Sequence, residues 1–138
     1  MSKAETAVTF ADSNVVLYLL SEDEGRKAKA LEVIQTRPHI SVQVLNEVTN
    51  ICRRKTQMDW DEISDFLSMV RHFCPVVDLT EAIHDKARRL AKRFQFRIYD
   101  AGIVAAALSV NAGTLWSEDM QNGQVVEKTL TIKNPFVP

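Results

Sequence analysis

The stretch that most constrains this chain is Val8-Thr9-Phe10-Ala11-Asp12-Ser13-Asn14, followed at once by Val15-Val16-Leu17-Tyr18-Leu19-Leu20. Val8, Thr9 and Phe10 favour a short buried strand ending at Ala11 or Asp12, and Ser13 or Asn14 is placed to cap a helix over the apolar run. Asp12 therefore stands at the carboxyl end of a strand, the edge at which open α/β sheets bind ligands. Taken alone, it reads equally well as a helix-capping carboxylate.

The rest of the chain repeats the alternation. A helical pattern after Ser21-Glu22-Asp23-Glu24-Gly25 puts Ala28, Leu31 and Ile34 on one side and closes at Thr36-Arg37-Pro38. His39-Ile40-Ser41 is a short strand, and Ser41 caps a helix from Val42 to Lys55 with Val44, Leu45, Val48, Ile51 and Cys52 as its apolar stripe. Trp60–Phe73 is a second amphipathic helix. Pro75–Leu79 reads as a strand, and Thr80 caps a helix reaching Phe94. A small-residue helix, Ala101 to Leu108, leads through Gly113 to the strand Thr114-Leu115-Trp116, and Thr129–Ile132 follows the polar turn at Asn122-Gly123. Strands separated by helices imply right-handed crossovers, hence an α/β sandwich with a mainly parallel sheet and helices on both faces.

At 138 residues the chain is one domain's worth, read as a single unit over residues 1–138. A formal net charge of −1 gives no global signature for nucleic acid, so any such contact must be local. Cys52 and Cys74 match no metal spacing and read as reduced core thiols. Residues 1–7 lack the apolar run of a signal peptide, and Ala101 to Val110 is about half of a membrane span. The expectation is a soluble cytoplasmic protein with no membrane association.

Two polar features resist absorption into a core. Glu47 lies off its helix's apolar stripe beside Gln43 and Asn50, where a solvated face is the ordinary reading. The helix after Thr80 carries Lys86, Arg88, Arg89, Lys92 and Arg93 opposite its apolar side, with Arg97 just beyond and only Asp85 offsetting them between His84 and Arg97. Such a run is usually solvated, but Arg88, Arg89, Lys92, Arg93 and Arg97 are candidates for holding nucleic-acid phosphates. Arg53-Arg54-Lys55 adds a smaller basic cluster.

The topology sends Asp12 and Asp119 to strand ends, Glu47 to the second turn of a helix and Asp100 to a helix start, where it also reads as a dipole-stabilising carboxylate. All four can converge on one sheet edge. Two carboxylates about 4 Å apart repel by roughly 4 kcal/mol at an effective dielectric near 20. A divalent cation is the strongest remedy, and an oxygen-only donor set selects a hard ion, Mg²⁺ or Mn²⁺. Such an ion activates water against a phosphodiester without a side-chain nucleophile. The chain has no G-x-S-x-G elbow, P-loop or HExxH to suggest other chemistry.

Phe10-Ala11-Asp12-Ser13-Asn14-Val15, Ser41-Val42-Gln43-Val44-Leu45-Asn46-Glu47, Tyr99-Asp100-Ala101-Gly102-Ile103-Val104-Ala105-Ala106-Ala107 and Leu115-Trp116-Ser117-Glu118-Asp119-Met120-Gln121-Asn122-Gly123 resemble, in that order, the motifs of PIN-domain nucleases. Within that family the chain is most similar to VapC-type toxins of bacterial toxin–antitoxin pairs, as far as Asn134-Pro135-Phe136. The resemblance implies a three-layer α/β/α fold and a Mg²⁺- or Mn²⁺-dependent ribonuclease cutting single-stranded or structured RNA. It also implies restraint by a cognate antitoxin, and a homodimer. Asp12, Glu47, Asp100 and Asp119 become the catalytic and metal-binding quartet, with Asn14 and Ser117 orienting the first and last. Ser13 stands where Thr is commoner, and Gln121 where some relatives carry a further acid, which counts against a second tightly held metal. Glu118 is expected to point away from Asp119. Exposed apolar residues of the Trp60–Phe73 helix are candidates for the dimer surface.

Other classes fit less well. A receiver-type signalling domain would use Asp78 as phosphoacceptor and Lys133 near its last strand, but Asp12 lacks the adjacent acid such domains need. A haloacid-dehalogenase-type phosphatase needs Asp-x-Asp where Asn14 stands. A non-catalytic member of the nuclease family that only binds RNA or a partner is the third alternative.

Overall fold

The computed structural model describes residues 7–138; the signal-peptide reading falls almost wholly on residues 1–6, outside them. The elements run β1 (Thr9–Ala11), α1 (Ser13–Leu17), α2 (Glu24–Gln35), β2 (Ile40–Ser41), α3 (Val42–Arg54), α4 (Trp60–Phe73), β3 (Val76–Val77), α5 (Glu81–Phe94), α6 (Ile98–Ser109), β4 (Thr114–Trp116), β5 (Val125–Val126) and β6 (Leu130–Lys133). β1, β4, β6 and β5 form one sheet in that spatial order, and β2 and β3 pair in parallel beside it. A parallel bridge between Phe10 and His39 joins the two, Ala11 N donating to His39 O at 2.9 Å and His39 N to Thr9 O at 2.8 Å. The continuous order is therefore β3-β2-β1-β4-β6-β5, parallel except for β5. Helices cover both faces, giving the expected three-layer α/β/α sandwich.

The central strands bury Phe10, Leu115 and Ile132 completely. Between Ala101 and Ala107 α6 is apolar all round and buried without interruption, as a helical segment enclosed on every side must be. Small side chains let it lie close to its neighbours. Both cysteines are free and buried, and burial pushes the Cys74 thiol up to about 11. Among the described residues no helix is long and apolar enough to cross a membrane.

Several expectations shift. α1 is capped by Asp12 itself, whose side chain accepts from Ser13 N, rather than by Ser13 or Asn14; the helix ends in a 3-10 turn at Tyr18–Leu20. α2 begins at Glu24 and is capped by Asp23, so Gly25 belongs to its first turn. Its buried side is Ala30, Val33 and Ile34, leaving Leu31 exposed. The i, i+3 series Ala28-Leu31-Ile34 drifts about 60° per step, whereas Ala30, Val33 and Ile34 share an arc of about 100°. α6 starts three residues early, at Ile98, and β3 keeps only two residues. β5, absent from the sequence reading, forms a hairpin with β6.

Ser41, Thr80 and Asp59 cap α3, α5 and α4, and Asp59 forms a reciprocal capping box with Glu62. Ser41 is buried and accepts from Val44 N at 3.3 Å. Ser41→Ala is expected to lower stability by about 1 kcal/mol, seen as a lower urea midpoint at unchanged slope.

Candidate metal centre

Strand register builds the site from its centre outward. Ala11 pairs with Trp116, so the next residues, Asp12 and Ser117, emerge side by side at the carboxyl ends of β1 and β4. Asp12 N donates to Trp116 O at 2.9 Å, and Ser117 Oγ donates to Asp12 Oδ2 at 2.8 Å. The other carboxylate oxygen, Oδ1, accepts from Ser13 N at 2.7 Å. Asp12 is 5% exposed and Ser117 fully buried. The capping and site readings of Asp12 are thus compatible: one oxygen starts α1 while the carboxylate faces a cavity.

That cavity, about 470 Å³, is lined by Asp12, Ser13, Glu47, Arg97, Ile98, Tyr99, Asp100 and Asp119. The four acids come from β1's end, α3, α6 and the turn after β4. Ser13 Oγ lies 3.3 Å from Asp12 Oδ1 and 3.4 Å from Glu47 Oε1, so one hydroxyl serves either carboxylate. Asn14 Nδ2 donates to Asp119 Oδ2 at 3.1 Å, with Asp12 Oδ2 and Ser117 Oγ each at 3.4 Å. Its Oδ1 accepts from Glu118 N at 3.1 Å. Asn14 and Ser117 therefore both touch Asp12 and the Ser117–Asp119 turn.

Glu118 turns the other way. Tyr18 Oη donates to its Oε1 at 2.5 Å, and Arg26 pairs with its Oε2. Arg26 in turn lies over the rings of Tyr18 and Phe136.

The electrostatics are those of crowded acids. Burial raises the Asp12 carboxyl above its ordinary value; Ser117 and Ser13 pull it back, while Asp100 and Asp119 push it further up. Glu47 is raised first by burial, then by Asp12 and Asp100. Among the described residues lining the cavity the one cation is Arg97, whose Nε is 3.7 Å from Asp100 Oδ2 but whose side chain is largely in solvent.

Among the described residues, no three Asp, Glu, His or Cys side chains stand close enough to hold an ion as oriented. The donor set nevertheless fits a hard divalent cation. It is all oxygen, it comes from four independent backbone positions around one cavity, and its central carboxylate is disfavoured as an anion until a positive charge joins it.

The basic residues divide. Arg97 lines the cavity, whereas Arg88, Arg89, Lys92 and Arg93 are exposed on α5 and do not. Arg88 pairs with Asp85 at 3.4 Å, and Arg93 lies 4.0 Å from Glu127, which also takes Lys86. Asp78, the acceptor a receiver would need, is exposed after edge strand β3 and does not line the acidic cavity.

A family model described as PIN domain matches residues 9–125, a span containing all four acids. The chain belongs to the PIN-domain family. Solved PIN-like toxins share its fold. A toxin–antitoxin complex from Klebsiella pneumoniae aligns with TM-score 0.69 at 18% identity, over 94% of this chain and 98% of that one. A VapC toxin of Mycobacterium tuberculosis, described as cleaving the sarcin-ricin loop, gives 0.63 at 17%, over 80% and 89%. A structure described as FitAcB from Neisseria gonorrhoeae gives 0.62 at 16%, over 94% and 99%. No curated protein matches the sequence.

Two residues at this cavity carried only weak sequence signals. Ser13 was visible as a hydroxyl next to an acid, but its reach to Glu47 depends on how α3 packs. Gln43, four residues before Glu47, donates Nε2 to Tyr99 O at 2.8 Å, tying α3 to α6. Its carboxamide fills the space over Gly102, where an added Cβ would lie 2.4 Å from Gln43 Oε1. Gly102→Ala is expected to expel the Gln43 side chain. The helix-propensity gain of about 0.8–1 kcal/mol offsets a hydrogen bond of similar worth, so the melting midpoint should barely move. Amide exchange at the start of α6 should nonetheless accelerate.

Proposed function

We propose that this protein is a divalent-metal-dependent endoribonuclease and the toxin of a toxin–antitoxin pair. The observation that carries the reading is the single cavity shared by Asp12, Glu47, Asp100 and Asp119, with Asp12 buried at its floor. These four would hold Mg²⁺ or Mn²⁺. When bound, the ion supplies an acidified water and stabilises negative charge on a phosphodiester under attack.

The chain's own groups prepare that chemistry. Ser13 N and Ser117 Oγ fix the Asp12 carboxylate with one hydrogen bond to each oxygen. Asn14 aligns Asp119 from the same turn. Glu47, with its proton affinity raised, suits the task of taking a proton from the attacking water. Arg97, exposed at the rim, offers a cation to an incoming phosphate, and Arg88, Arg89, Lys92 and Arg93 extend a basic surface for more distant ones.

Support for the toxin role comes from the family match and from fold likeness to a solved toxin and to a toxin–antitoxin complex. The reading includes a homodimer; Trp60 and Met69 are the exposed apolar residues left on α4 once Ile63, Phe66 and Val70 enter the core. Cleavage of RNA by the purified chain with Mg²⁺ or Mn²⁺, lost in Asp100→Asn, tests the enzyme. Growth arrest on expression, relieved by a neighbouring antitoxin gene, tests the toxin. RNA bound but never cut under any divalent ion would favour the non-catalytic alternative.

A further inference from the structure

Beside the acidic cavity lies a second hollow of about 290 Å³, walled by Gln43, Asn46, Glu47, Asn50, Leu79 and Tyr99. Glu47 and Tyr99 line both, so the two spaces adjoin. The two differ in chemistry. The second holds no Lys or Arg and only Glu47 as a charge, at the shared border, which makes it a poor seat for a phosphate. What it offers is neutral: carboxamides and an uncovered aromatic ring.

The arrangement is specific. Gln43, Asn46 and Asn50 are spaced i, i+3 and i+7, on one side of α3. Among the described residues, the Asn46 and Asn50 carboxamides have no side-chain hydrogen bonds. Tyr99 is 71% exposed and Leu79 54%, so both present uncovered apolar surface beside the polar cavity. Tyr99 is nevertheless anchored, because Gln43 Nε2 holds its carbonyl and Asp100 follows it directly in the first turn of α6.

We infer that this hollow seats one unpaired nucleobase of the RNA, adjacent to the phosphate that enters the acidic cavity. The inference rests on the nuclease reading and adds to it where base selection occurs. A flat, uncharged ring with donors and acceptors on its edge matches this lining. Its face stacks on Tyr99, and its edge meets the carboxamides of Asn46 and Asn50. The neutral wall also suits its place, since a cation there would compete with the divalent ion for the acids.

The experiment uses single-stranded RNA oligonucleotides, each with one abasic position moved along the strand. With the parent protein and Mn²⁺, one position next to the cut site should raise KM about 10–100-fold, the range expected from losing one stacked base. Tyr99→Ala should produce the same loss on the intact strand and add little on the abasic one. Tyr99→Phe, which keeps the ring, should recover most of that loss. Asn46→Ala and Asn50→Ala should change which base is preferred at that position alone.

Binding of the same oligonucleotides to Asp12→Asn, read by fluorescence anisotropy with and without Tyr99→Ala, examines the seat whether or not the parent cuts. Failure of the parent to cleave sinks the nuclease reading, while unchanged binding on loss of Tyr99 sinks the base seat. A change of oligomeric state in Tyr99→Ala, seen by light scattering with RNA binding intact, would instead make the hollow a protein contact and overturn the inference.

Discussion

Asp12→Asn is expected to abolish metal-dependent RNA cleavage, by on the order of 10³-fold or more, while making the metal-free protein more stable near neutral pH. Both effects come from one carboxylate. Asn keeps the shape and can still accept from Ser13 N, so the start of α1 survives. It cannot supply the anionic oxygen at the cavity floor. It also removes a charge that burial, Asp100 and Asp119 all oppose.

The sign of the pH dependence follows. The Asp12 and Glu47 carboxyls are raised above 3.8 and 4.5 by folding, so the native state holds their protons more tightly than the unfolded chain. Their contribution to stability is fully present below those values and is lost as pH rises through the folded-state values. Urea melts in chelator across pH 4–8 should therefore show Asp12→Asn gaining on the parent as pH rises, then levelling off. A difference independent of pH would mean that Asp12 is not the strained acid described here.

The parts of the fold legible from sequence were those set by local chemistry. Ser41 and Thr80 cap where a hydroxyl precedes an apolar run, and the α6 alanines announce a helix enclosed on all sides. β5 was illegible because its hairpin turns at Glu127 and Lys128, both at positive φ, without the glycine or asparagine that usually marks such a turn. The α2 face was misread because two overlapping apolar series fit a helix, and only packing chooses between them.

At the site, Asp12 and Ser117 were placeable together once β1 and β4 were taken as neighbours. That Ser13 reaches Glu47, or that Gln43 spans to Tyr99, depends on helix-to-helix distance, to which no sequence spacing corresponds. Arg97 and the arginines of α5 made one charge run in sequence, yet only Arg97 reaches the cavity, because the chain turns at Gln95 in the left-handed conformation before α6 begins.

Adding Mn²⁺ should reverse the stability order that Asp12→Asn establishes. An ion at 100 times its dissociation constant stabilises the native state by about 2.7 kcal/mol. For a chain of this length that is a rise in melting midpoint of roughly 10 °C. The parent should show that rise; Asp12→Asn and Asp100→Asn should show little or none. The more stable chain in chelator thus becomes the less stable one in Mn²⁺, a crossing that a general effect of ionic strength cannot produce. Binding must also displace whatever protons Asp12 and Glu47 retain, so the shift should shrink as pH falls toward their unfolded-state values. Calorimetry in buffers of different ionisation enthalpy should detect those released protons. Equal shifts in parent and variants, or a shift indifferent to pH, would place the ion on some other group of the surface and leave the crowded acids without a counter-charge.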